Sequence, residues 1–360
     1  MSSVPRAQLN IFKYSLGAVI LALALGWWVG GPNQALVVAI LAILEISLSF
    51  ENSIINATIL RRMSVFWQEI FLTLGLLIAV VGMRLLFPVV IVAVTAGLSM
   101  GRVADLALHH PAEYAAHLAE AHPAISAFGG MFLLMIFLDF LLDATRTVHW
   151  LEAIERPLVR AGRLKTLSSL VAIIALVAVA YGLPRTETAT VLLTGLVGQI
   201  TYLVVRGVSR LFEILERRVT KTTTGQGATN VTGLAAFSLF VYLEVLDASF
   251  SFDGVIGAFA LTGNVLVIAL GLGVGAMFIR ELTVWLVRND TLAEFIYLEH
   301  GAYYAVGSLA VLLWAGLYVT LPEAIIGLGG AAIIIASLAS SVLAQRREAA
   351  KPKKHRSISA

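Results

Sequence analysis

The sequence predicts an all-α, polytopic membrane protein, with about ten transmembrane helices forming two inverted-topology repeats. Three observations carry that expectation. The first is composition: of 360 residues, 59% are hydrophobic and only 13% are charged, with a mean hydropathy of +0.90. Soluble domains average about 45–50% apolar and about 25% charged. The second is a succession of apolar runs, and the third is an acidic motif that occurs twice. A soluble enzyme, a disordered chain and a nucleic-acid binder are excluded on these grounds. The pI near 9.2 reflects a net charge of only +3, held in short basic clusters between apolar runs. There is no cysteine, which removes disulfides, thiolate metal sites and thiol catalysis.

A helix needs roughly 20 mostly apolar residues to cross a bilayer. Ten runs qualify: 11–30, 34–60, 69–95, 125–143, 167–183, 188–205, 231–261, 265–287, 301–320 and 323–343. The first has Lys13 ahead of an apolar core, as a signal peptide would. Its end, Trp27-Trp28-Val29-Gly30-Gly31, offers no small-residue cleavage site, so it reads as a span. Basic residues set the orientation. With both termini in the cytoplasm, only Arg102 and Arg185 fall outside, and Arg84 and Arg280 fall within spans. All other Lys and Arg lie inside, as expected of a bacterial inner-membrane protein.

The second span carries Glu45-Ile46-Ser47-Leu48-Ser49-Phe50-Glu51-Asn52, and the seventh Asp247-Ala248-Ser249-Phe250-Ser251-Phe252-Asp253-Gly254. Both fit acid-x-Ser-x-Ser-Phe-acid. Gly75 followed by Arg84 is echoed by Gly271 followed by Arg280. Five spans separate the copies, so the copies run in opposite directions. Such inverted repeats are typical of secondary transporters, whose sites lie near the midplane at the repeat interface. Residues 1–205 and 206–345 thus read as one integral membrane domain. The first repeat spans about 11–183, the second about 188–343, and 346–360 is a basic cytoplasmic tail.

Glu45, Glu51, Glu244, Asp247, Asp253, Asp139, Arg84 and Arg280 all fall within spans. Each costs about 2.5–3.5 kcal/mol at a helix centre on translocon scales, so they must pair, protonate, bind an ion or face water. At 100° per residue, Glu45, Ser49, Asn52 and Asn56 share one stripe, and Ser47 and Glu51 a second. In the partner, Glu244, Asp247, Ser251 and Gly254 share a stripe, with Ser249 and Asp253 on another. Local unwinding at Ser-x-Ser or at Gly254 is the alternative geometry. Carboxylates, amides and hydroxyls are hard oxygen donors suited to Mg²⁺, Ca²⁺ or Mn²⁺. The competing reading makes Arg84 and Arg280 ion-pair partners of the acids and the serines packing residues; that pairing is the expected role of the two arginines.

Asp139 and Asp143 end the fourth span. Asp139 is a candidate for the cavity or a proton path, and Asp143 is expected to be solvated or paired with Arg146. Glu299 and His300 open the ninth span, as a gate or a plain helix start. In the outer loop 99–124, helical spacing groups His109, Glu113 and His117; a solvated amphipathic helix is expected there rather than a metal site. Segment 144–166 reads as an interfacial helix, and 219–230 as a flexible linker.

Leu44-Glu45 through Asn52, Leu243 through Gly254, and Leu298-Glu299-His300-Gly301 resemble the TerC-like integral membrane proteins. Phe137-Leu138-Asp139-Phe140 and His149-Trp150 resemble a related bacterial branch. The resemblance covers most of 34–320 and places the chain in a lysine-exporter-like superfamily of inverted repeats. It implies tellurite resistance or export of manganese or another metal ion. It also implies metal ligands at Glu45, Asn52, Asp247 and Asp253, with Glu51 and Glu244 beside them. The chain departs from the family pattern at Glu51, where Asp is usual, and at Gly254, where Asn is usual.

The expected function is secondary transport of divalent cations, Mn²⁺ first, with the ion as cargo and no covalently bound cofactor. Two alternatives stand: proton-coupled export of a small organic cation or amino acid, and a non-transporting scaffold linked to metal stress. Expected partners are the metal ion and the lipid bilayer, without nucleic acid. An enzyme is not expected, because the chain holds no H-E-x-x-H or G-x-S-x-G motif.

Overall fold

A computed structural model describes residues 12–162, 164, 166–223, 233–262, 264–289, 295–319, 321 and 323–349. Within its helices, the side chains of Ser47, Glu51, Ser249, Ser251 and Asp253 lie outside the described part. The described residues form helices joined by short turns and contain no strand. Among the described residues, five helices are long and apolar enough to span a membrane, or six if one bent pair counts as a span. Many outward side chains across the described helices are large and apolar, Ile20, Val94, Leu193 and Val311 among them. Lipid rather than water accommodates such a surface, and this is a multi-pass membrane protein.

The chain opens with α1 (Lys13–Leu48), whose helical geometry breaks at Gly30 and Gly31. Gly31 has φ +71°, a left-handed conformation that costs glycine nothing. The break reverses the chain. A Cβ on Gly26 would lie 3.0 Å from the Val38 side chain, whereas twelve residues along a straight helix span about 18 Å. The first two apolar runs are therefore two limbs of a helical hairpin. A turn at Ser49 separates α1 from α2 (Phe50–Leu60), so the run 34–60 is two helices.

The third run also departs from a single regular span. After α3 (Val65–Ile70), the backbone is wound as π-helix over Phe71–Gly75 and Ile78–Leu86, with a 42° bend between these parts, before α4 (Phe87–Ala96). The outer segment is helical: α5 (Met100–His109) is followed by α6 (Pro111–Leu141). Proline at the first position of α6 starts the helix fourteen residues before the expected span. The break at His110 puts His109 and His117 on different helices, so the expected grouping of His109, Glu113 and His117 does not form. His109 pairs with Asp105 instead, and His117 with Glu120.

The amphipathic α7 (Glu152–Ala161) falls in the segment expected to be interfacial. Then come α8 (Leu167–Tyr181) and α9 (Arg185–Thr223), which runs helical into the expected linker. Residues 224–230 of that linker lie outside the described part. The second motif lies on α10 (Gly233–Leu261), followed by α11 (Val265–Arg288), α12 (Leu298–Ala315) and α13 (Glu323–Ala349). Residues 350–360 of the tail are likewise not described.

The main core joins α2, α6, α8, α9, α10 and α12 around Met131, Phe132, Tyr202 and Leu243. Beside it, α11 packs along both limbs of α1. Leu41 lies against Gly271, and Glu45 against Gly275.

Candidate functional site

Glu45 lies on the second limb of α1, Asn52 and Asn56 on α2, Glu244 and Asp247 on α10, and Arg280 on α11. Arg84 comes from the π-wound segment. All seven residues are at most 6% exposed, so none of the described acids on the motif helices turns to lipid. Such burial is tolerable only with partners, and the partners are visible.

The Glu45 carboxylate pairs with Arg84 and accepts the Ser49 hydroxyl at 2.9 Å. The second Arg84 nitrogen donates to the Ala79 carbonyl at 2.6 Å. On the other side, Arg280 Nη2 reaches both Glu244 oxygens at 3.1 Å and Asp247 Oδ2 at 3.4 Å. Its Nη1 donates to the Phe71 carbonyl at 3.0 Å, in the π-wound stretch. The guanidinium also sits over the Phe71 ring, 4.2 Å from its centroid. Asn52 Nδ2 donates to Asp247 Oδ1 at 2.7 Å and links the two motif helices.

The packing is reciprocal. A Cβ on Gly75 would lie 2.7 Å from Glu244 Oε1 and would also meet Arg280, whereas a Cβ on Gly275 would lie 2.5 Å from Glu45 Cβ. Glu45 and Glu244 thus each rest on a glycine in the other half of the molecule.

Four polar atoms in this shell are unpartnered: the Nε groups of Arg84 and Arg280, and the amide oxygens of Asn52 and Asn56, one helical turn apart on α2. Leaving a buried acceptor unsatisfied costs about 1–3 kcal/mol. Among the described residues no group of three or more His, Asp and Glu side chains is arranged to hold a metal. Glu45, Glu244 and Asp247 are held by guanidinium groups, as the competing reading of the arginines expected. Three described carboxylates nevertheless face only two guanidinium groups. Glu51, Asp253, Ser47, Ser249 and Ser251, also candidates from the motif, fall outside the described side chains. The structure bends at Ser49 and leaves α10 continuous through Gly254.

Asp139 sits elsewhere. It pairs with Arg206 and accepts the Tyr202 hydroxyl at 2.6 Å. It lines a cavity of about 590 Å³ together with Asp143, Glu299, Tyr202, Tyr242 and Tyr303. Asp143 accepts from the Thr145 backbone and hydroxyl rather than from Arg146, which pairs with Glu155 at 2.6 Å. Glu299 lies 3.6 Å from Arg61, bridging the ends of α2 and α12.

Sequence reasoning missed two buried carboxyls. Glu155 on α7 is fully buried among Arg146, the backbone N–H groups of Trp150 and Leu151, the Tyr304 hydroxyl and His300. Burial alone would raise its pKa, but the Leu151 N–H and the Arg146 charge outweigh it and hold the carboxyl below the usual range. Glu281 on α11 bonds to Ser15 at the start of α1. Its only sequence signal was an acid directly after a mid-span arginine.

These features define an all-α membrane protein with a buried ionic centre between two pairs of helices. The chain belongs to the DUF475 family of proteins of unknown function, whose sequence profile matches residues 50–348. No curated protein and no solved structure matches it. The matched region takes in Asn52, Arg84, the second motif and Arg280, and begins after Glu45.

Proposed function

We propose that this protein is a secondary transporter of divalent metal cations, Mn²⁺ first, working by alternating access around the Asn52–Asp247 contact. The observation that carries the reading is the pair of unpartnered amide oxygens on Asn52 and Asn56, beside a carboxylate excess at Asp247. Oxygen donors with surplus negative charge suit a hard cation. The Arg280–Asp247 contact, at 3.4 Å, is the longest in the cluster, so Asp247 is the carboxylate a cation frees most easily.

The parallel run of the second α1 limb beside α11 supports the inverted arrangement. Because only residues 262–264 join α10 to α11, the two motif helices then run oppositely. We take the whole as ten spans in two inverted halves, in a bacterial inner membrane with both termini inside. The TerC-like motifs point the same way.

In liposomes reconstituted with the protein, Mn²⁺ entry read with an entrapped dye tests this. The Asp247→Asn variant is expected to lose about 10–100-fold of the flux while eluting as a folded protein. Wild-type protein that moves no Mn²⁺, or a variant that equals it, overturns the reading.

A second reading is favoured by the cavity near Asp139. At about 590 Å³ it exceeds a bare ion's need, since one water occupies about 30 Å³ of liquid. Its tyrosines and the carboxylates of Asp139, Asp143 and Glu299 suit an ammonium group, beside Arg62, Arg146 and Arg206 on the same wall. Metal-independent flux of a cationic amino acid, lost in Asp139→Asn, would select this reading over the first.

A further inference from the structure

Glu281 is 6% exposed, and among the described residues its side-chain partner is Ser15 alone. Among the described residues, the neighbouring charges are turned elsewhere. On α1, Lys13 and Tyr14 are exposed. On α11, Arg280 is spent on Glu244, Asp247 and Phe71, while Arg288 lies two turns on, at the helix end. Arg84 belongs to Glu45. A buried carboxylate with no cation is expensive, whereas a buried carboxylic acid with a hydrogen-bond partner is not.

Ser15 suits either state. Its hydroxyl lies within 3.2 Å of the Phe12 carbonyl as well as against Glu281, and it has one hydrogen to give. When Glu281 is protonated, its O–H donates to Ser15 Oγ, and Ser15 donates to Phe12. When Glu281 is ionised, Ser15 turns its hydroxyl to the carboxylate. Ser15 also lies in the first turn of α1, where the helix N-terminus favours the negative charge. Both protonation states are therefore provided for, which is what a proton carrier requires.

The location gives the carrier something to act on. Glu281 and Arg280 are adjacent on α11, pointing about 100° apart, one toward α1 and the other toward the Asp247 cluster. A negative charge on Glu281 competes for the field of Arg280 and loosens its hold on Asp247, the contact that a cation must displace.

We infer that Glu281 is a proton-binding site whose occupancy competes with cation binding at Asp247, so that the protein exchanges protons for metal. The inference rests on the transport reading given above. In the exchange, a proton leaves Glu281 for water as the cation binds, and returns as the cation departs.

Two measurements test it. Infrared difference spectra of the full-length protein in lipid, recorded across a pH titration, read the acid directly. Wild type is expected to show a carboxylic-acid C=O band that titrates and that Glu281→Gln lacks. Identical titrations in the two proteins overturn the inference, whatever the flux shows. In liposomes with Mn²⁺ as the probe, Glu281→Gln is expected to lose about tenfold or more of the uphill Mn²⁺ movement driven by a pH gradient. Downhill Mn²⁺ movement stays near wild type. Ser15→Ala, which keeps the carboxyl, retains coupling with a shifted pH dependence. Coupling retained in Glu281→Gln overturns the proton role. A titrating Glu281 band in a wild-type protein that moves no Mn²⁺ instead overturns the transport reading, and the exchange with it.

Discussion

The two halves of the buried centre use the same residue types to different effect. In the first, one arginine serves one carboxylate: Arg84 holds Glu45, and Ser49 completes the shell. In the second, one arginine serves two: Arg280 is shared between Glu244 and Asp247, and Asn52 crosses from the first half to support the latter. Among the described side chains the first half matches one acid to one arginine, while the second carries the surplus negative charge and borders the unpartnered amide oxygens. The difference teaches that a duplicated motif need not give a duplicated site; on the proposed transport reading, the working half is the one whose described charges do not cancel.

That contrast can be broken most forcefully at the arginines. Removing one partner of a buried pair costs about 3–5 kcal/mol. Arg280→Met is expected to reach the upper end, because it orphans two carboxylates, and Arg84→Met the lower. Thermal unfolding in detergent would measure both, and equal losses would remove the asymmetry. Next come the glycines. Overpacking costs about 1–3 kcal/mol. Gly275→Ala drives a methyl against the stem of Glu45, so it is expected to destabilise more than Gly75→Ala, where the nearest atoms are the movable ends of Glu244 and Arg280. Gly75→Ala should instead disturb flux. Ser49→Ala sharpens the comparison further, because it removes one hydrogen bond from the first half, about 1 kcal/mol, and should leave Mn²⁺ movement unchanged.

The smallest effect is expected outside the centre, at Glu155. Its folded pKa lies below the ordinary 4.5, so the ionised form stabilises the fold above that value. The contribution fades as pH falls from about 4.5 through the lower folded pKa. Unfolding followed at descending pH should show this slope in wild type and lose it in Glu155→Gln.

The burial of Glu45, Asn52, Glu244 and Asp247 was legible because a charged residue in an apolar run has few tolerable neighbours, and the two mid-span arginines were the obvious ones. The reversal at Gly30-Gly31 was legible from the gap between the apolar runs 11–30 and 34–60. Other features were not. Hydropathy placed the start of the fourth span at 125, although Pro111 begins α6, because a polar first half of a helix looks like a loop. Arg146 chose Glu155 over the nearer Asp143, a choice made by the fold of α7 rather than by spacing. Glu281 passed unnoticed because its partner, Ser15, is far away in sequence and unremarkable in type. Winding over Phe71–Leu86 leaves no compositional mark at all.

That winding has a mechanical consequence. A π turn holds one more residue than an α turn at the same place. Tightening one such turn between Phe71 and Leu86 would advance everything beyond it by one position and swing Arg84 around the helix by about 100°, away from Glu45. The slack needed to unlock the first half is thus already coiled into its own backbone, next to the carbonyl that holds Arg280.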